Sequence, residues 1–131
     1  MPEQARAPER APTYPEVLIR PDVRVPMRDG VCLATDLYWP AQDGCLPDAP
    51  LPALLRRTPY NKGAGSNAAA MRLARCGYVV AVQDVRGRYA SDGDFHCFAQ
   101  EAADGFDAIE WLAAQPGGDG RVGTFGASYE A

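Results

Sequence analysis

One histidine, His96, and one lysine, Lys62, are all that this chain of 131 residues carries of either type. The other twelve basic residues are arginine, a bias read as genome composition. The formal charge is -4 and no basic stripe is present, so there is no electrostatic footprint for nucleic acid. No apolar run approaches the ~20 residues needed to cross a bilayer, so no membrane partner is expected. Met1 to Pro15 mixes Pro, Glu and Arg without the apolar centre of a secretory signal, and reads as a disordered arm. The four cysteines, at 32, 45, 76 and 97, have no Cys-x-x-Cys spacing, and only His96 offers a nitrogen ligand. No metal or other cofactor is therefore expected. Cys32 and Cys76 read as small buried hydrophobes, and reduced thiols in the cytoplasm are the expectation.

What is present suits one modest globular domain: 47% hydrophobic and 23% charged residues. Val23 and Val25 alternate with polar residues up to Met27-Arg28-Asp29-Gly30. Val31, Leu33 and Leu37 then continue an extended pattern to Trp39. Asp-Gly between two such runs predicts a hairpin. After a loop from Pro40 to Pro52, Ala53-Leu54-Leu55 starts a third strand that must end before Pro59. Ser66 fits a helix N-cap and Gly77 the position just past that helix. Tyr78 to Val82 is nearly all apolar, as in a strand covered on both faces. Ala99 to Gln115 has helical spacing, with Ala102, Phe106, Ile109 and Ala113 as its apolar face. Glu101, Asp104, Asp107 and Glu110 are then expected on a solvated face. Arg121 to Phe125 reads as a last short strand. A hairpin followed by alternating strands and helices predicts a parallel α/β sheet.

That last strand runs into Gly126-Ala127-Ser128-Tyr129. A strand, a Gly-x-Ser turn and a helix expose a reactive serine hydroxyl and aim the following backbone N–H groups at a substrate oxygen. The strict Gly-x-Ser-x-Gly form is not met, because Glu130 stands at its last position. His96 precedes the serine, whereas this turn takes its acid and then its histidine from later in the chain. His96 is thus a poor base and is expected at a partly buried loop edge. Asp84, Arg86 and Asp92, after the Tyr78–Val82 strand, are expected to form a local Asp–Arg pair. Gly63-Ala64-Gly65-Ser66-Asn67-Ala68 fits a dinucleotide fingerprint, with Asp84 as ribose acid, but it does not follow its strand directly. A Gly-rich loop before a capped helix is the better reading.

Eight stretches in order carry a family resemblance. They include Val25 to Val31, Thr58-Pro59-Tyr60-Asn61-Lys62, Gly77 to Gly87, Ser91-Asp92-Gly93, Gly120 to Gly123 and Gly126 to Tyr129. Over about residues 22 to 131 the chain resembles the N-terminal part of the X-prolyl dipeptidyl-peptidase and cocaine esterase family of serine hydrolases. With the disordered arm taken to residue 20, the resemblance implies a partial α/β-hydrolase domain at 21–131, without the family's helical cap and C-terminal jelly-roll. It implies Ser128 as nucleophile, with the Tyr60 hydroxyl and the Tyr129 backbone N–H as oxyanion donors. The family's downstream Asp and His match nothing here. Ala131 replaces a usual Gly, and Gly117 replaces a common Trp. The expectation is a fragment of a cytoplasmic hydrolase of small esters or amides, inactive alone. The alternatives are a non-catalytic truncated or partner-pairing protein, whose exposed sheet edge invites self-association, or a nucleotide-binding module.

Overall fold

A computed structural model describes residues 12–63 and 67–130. The elements are β1 (Glu16–Pro26), β2 (Cys32–Ala41), β3 (Leu51–Thr58), α1 (Asn67–Arg75), β4 (Val79–Asp84), α2 (Glu101–Ala113), β5 (Gly118–Thr124) and a 3-10 turn at Ser128–Glu130. The strands form one sheet in the order β1-β2-β4-β3-β5. The hairpin β1–β2 and the pair β2–β4 are antiparallel, while β4–β3 and β3–β5 are parallel. This is an α/β fold with a mixed sheet, consistent with the partial α/β-hydrolase that the resemblance implies.

Alternate residues of β4 face opposite layers, which is why that strand is apolar throughout. Val79 and Ala81 pack with Leu33, Leu55, Ala108 and Leu112 under α2. Val80 and Val82 pack with Tyr38, Ala70 and Ala74 under α1. β3 ends at Thr58, directly before Pro59. Among the described residues, β5 pairs with β3 on one flank and with no strand on the other.

The structure corrects several expectations. β1 begins at Glu16, inside the arm expected to run to residue 20, because Val17 and Leu18 pair with Pro40 and Trp39. Ser66, expected to cap α1, lies outside the described residues, as do residues 1–11. The apolar face of α2 is also different. Ala102 and Phe106 are exposed, and the buried line is Asp104, Ala108 and Leu112. The acids are not a solvated face, because arginines from the sheet side need counterions. Asp104 is 1% exposed and takes Arg86 Nε and Nη2 at 2.9 and 2.8 Å. Arg57 Nη1 bonds Glu101 at 2.5 Å, and Arg28 Nη2 bonds Asp107 at 2.8 Å. Only Glu110 of the four stays exposed. Nor is the Asp84–Arg86–Asp92 loop held by a local pair. Arg86 reaches instead to Asp104 and, at 2.9 Å, to Asp29 in the hairpin turn. Gly117, where the resemblance suggests Trp, sits against Trp39: a Cβ there would lie 3.3 Å from Trp39 Cζ3.

Candidate active site

The site forms where β3 and β5 end side by side. In register, Leu55 lies opposite Thr124, and Phe125 N–H donates to the Leu55 carbonyl at 3.1 Å. Both chains then turn. After β3 comes Pro59-Tyr60, and after β5 comes Gly126-Ala127-Ser128. The Tyr60 hydroxyl is thereby brought 3.4 Å from Ser128 Oγ across a separation of 68 residues. Ser128 has φ 58°, a left-handed conformation that a residue with a Cβ adopts at a cost of order 1–3 kcal/mol. Such strain gathers where surrounding structure enforces it, as in a nucleophile elbow. Gly126 is required by close approach: a Cβ there would fall 2.5 Å from Glu130 Cβ. The serine side of the turn is exposed, as is Tyr60 at 52%.

Tyr129 is anchored rather than free. Its hydroxyl accepts the Phe98 N–H at 2.8 Å, and its ring stacks on Phe98 with centroids 4.2 Å apart. Burial, with Glu101 and Cys97 nearby, raises its phenol pKa, against the opposing pull of the Phe98 N–H.

The loop carrying Tyr60 is staked at several points. Thr58 Oγ1 accepts the Tyr60 N–H at 3.0 Å, and Arg88 Nε donates to the Pro59 carbonyl at 3.2 Å. The Lys62 N–H donates to Asp84 Oδ1 at 2.8 Å. Lys62 Nζ lies 2.7 Å from Asp22 Oδ1 and 2.9 Å from Asp36 Oδ1. Burial works to lower the lysine pKa, but the hydrogen bonds it donates to Asp22 and Asp36 hold it above its ordinary value. Asp84, the acid a ribose would need, is 1% exposed, and its other oxygen accepts the Ala90 N–H at 3.2 Å. That geometry leaves it unavailable to a nucleotide, and residues 64–66 of the rival motif lie outside the described residues.

His96 is exposed, not at a partly buried edge, and among the described residues no hydrogen bond joins it to Ser128. Its neighbours Phe95 and Phe98 turn to Tyr129 and leave the imidazole on the outside. All four cysteines are free thiols; Cys76 is buried and Cys32 half-buried.

The model of the X-Pro dipeptidyl-peptidase (S15 family) matches residues 29–131. The chain belongs to that family. This S15 chain is 43% identical to cocaine esterase from a Rhodococcus species over 113 residues, which is 82% of the chain and 19% of the relative. In structure it resembles an α-amino acid ester hydrolase, with TM-score 0.72 and 29% identity over 97% of the chain and 23% of the other protein. It also resembles a CocE/NonD family hydrolase from Staphylococcus aureus, with TM-score 0.75 and 25% identity over 87% of the chain and 23% of the other protein. The S15 chain spans about a fifth of the length of the curated relatives it matches.

Sequence reasoning named Ser128, Tyr60 and Tyr129 but passed over the polar groups that hold them. Glu130 was noted only as a departure from the glycine of the elbow motif. In the structure its carboxylate takes Arg56 Nε and Nη2 at 2.9 and 3.0 Å. The available signal was a glutamate directly after the elbow in a chain whose third strand carries two arginines.

Proposed function

We propose that Ser128 is the nucleophile of an acyl-transfer site that cleaves a small ester or amide. The observation that carries this reading is the meeting of a strained serine, φ 58°, with a tyrosine hydroxyl 3.4 Å away. Ser128 Oγ would bond the substrate carbonyl carbon, and its proton would pass to a base. The tetrahedral oxyanion would take hydrogen bonds from the Tyr60 hydroxyl and the Tyr129 N–H. Collapse would break the bond to the leaving alcohol or amine and leave an acyl-serine. Family membership and the esterases among its relatives support this chemistry.

His96 is not placed to take the proton, so the 131 residues alone should acylate slowly and turn over negligibly. The test is mass spectrometry of the protein after exposure to p-nitrophenyl acetate, with imidazole supplied as an external base. One acetyl group on Ser128, accelerated by imidazole and absent from Ser128→Ala, is expected. Labelling that ignores Ser128→Ala would defeat the proposal.

A second reading, self-association through β5, is favoured by its unpaired flank and by a groove beside it of about 350 Å³, lined by Pro52, Leu54, Tyr78 and Gly123. Sedimentation of the chain at two concentrations tests it, and a monomer at both would end it.

A further inference from the structure

The nucleophile and its oxyanion tyrosine sit on separate loops, and one carboxylate joins the serine turn to the strand that leads into the tyrosine. We propose that Glu130 is a positioning residue that sets Ser128 in register with Tyr60. This rests on the reading of Ser128 and Tyr60 as the reacting pair.

The Glu130 side chain is only 2% exposed, although it lies in a turn whose serine faces solvent. Burying a carboxylate is costly unless it is paired and hydrogen-bonded. Here it is both. Arg56 of β3 holds it bidentately, at 2.9 and 3.0 Å, which fixes direction as well as charge. Glu130 Oε2 also accepts the Ala127 N–H at 3.3 Å, closing the elbow on itself. Arg56 stands on β3 two residues before Thr58, whose Oγ1 accepts the Tyr60 N–H at 3.0 Å.

The link Ala127–Glu130–Arg56 therefore ties the serine turn to the end of β3, the strand that leads into Tyr60. The glycine usual at this position of the elbow motif offers no such link. Glu130 contacts no reacting atom in this structure; it acts through the backbone on either side of it. Loss of the carboxylate releases the elbow from β3 while the β3–β5 ladder remains.

The test places 3-fluorotyrosine at position 60 of the 131-residue chain and reads its ¹⁹F resonance. Ser128→Ala defines the shift that marks loss of the Tyr60–Ser128 contact. Glu130→Gln should move the resonance to that same position, and the double variant Ser128→Ala/Glu130→Gln should add nothing. Arg56→Lys, which keeps the charge but loses the fork, should move it part of the way. Imidazole-assisted acetylation of Ser128 should slow by about 10²-fold in Glu130→Gln, the scale expected of a small misplacement. An unmoved fluorine resonance in Glu130→Gln, whatever happens to the melting temperature, overturns the proposal. So does unfolding of both Glu130→Gln and Arg56→Lys, which would make the pair a brace for the whole sheet. Absence of acetylation in the unmutated chain would count against the nucleophile reading, while the fluorine shift reports on Glu130 separately.

Discussion

Replacing Asp104 with alanine tests the electrostatic frame of the fold. Asp104 and Arg86 are 2% and 9% exposed at their side chains, and two short hydrogen bonds join them. Removing one member of a buried pair typically costs 3–5 kcal/mol, because the other charge stays buried without compensation. Arg86 keeps a second carboxylate, Asp29, but that group is 47% exposed and screened by solvent. The loss should thus fall at the low end, about 3 kcal/mol. For a chain of this size that corresponds to a fall of roughly 10 °C in melting temperature. Urea denaturation followed by far-ultraviolet circular dichroism measures it directly. Glu110→Ala, on the exposed side of the same helix, should stay within about 0.5 kcal/mol of the unmutated chain. The double replacement Asp104→Leu/Arg86→Met should recover most of the loss, since an apolar pair needs no counterion. A change below about 1 kcal/mol for Asp104→Ala would refute the reasoning and return Asp104 to a solvated face.

Three further outcomes are expected. Tyr60→Phe should slow imidazole-assisted acetylation of Ser128 by about 10²–10³-fold, the usual effect of losing one oxyanion donor, and leave thermal melting unchanged. Gly126→Ala should abolish acetylation and destabilise the chain by about 1–3 kcal/mol, because the added methyl collides with Glu130; unchanged melting would argue against this turn geometry. Acid should weaken the fold. Burial opposes ionisation of Glu130, but the hydrogen bonds from Arg56 hold its pKa below the ordinary 4.5. A carboxylate with a lowered folded pKa contributes stability above its unfolded value, and that contribution is lost as pH falls through the folded value. Asp22, Asp29 and Asp107 are held low by Lys62, Arg86 and Arg28, and act in the same direction. The urea midpoint should drop between about pH 5 and pH 3, and a flat profile would contradict these pairings.

Hydrophobic period and punctuation made the architecture legible. The Asp29-Gly30 turn, Pro59 at the end of β3, Gly77 after α1 and the unbroken apolar β4 each impose a local geometry that tertiary context did not override. Ser128 and Tyr60 stand out in the sequence because a strand-to-serine turn and a family resemblance point to them, and the structure brings their hydroxyls to 3.4 Å. The misreadings of α2 and of Glu130 have a common root in charged pairs between distant segments. Periodicity ranks residues by apolarity, so Phe106 was placed inward and Asp104 outward. The structure reverses them because the Arg86 guanidinium enters the interface between hairpin turn and helix and takes Asp104 with it. Glu130 was misjudged for the same reason: its partner Arg56 lies 74 residues away, a distance no local pattern reports.

Lys62 gives the sheet an unexpected reach. It follows Tyr60 by two positions, yet one of its carboxylates, Asp22, belongs to the irregular step in the outermost strand and is 59% open to water. The tyrosine's loop is in effect moored to a post on the molecule's rim. Dissolved salt weakens attraction at that rim far more than at the sheltered Asp36 end, where exposure is 12%. Raised ionic strength should thus loosen the Asp22 tether of this loop before the Asp36 one, and a neutral residue at position 22 should mimic that loosening.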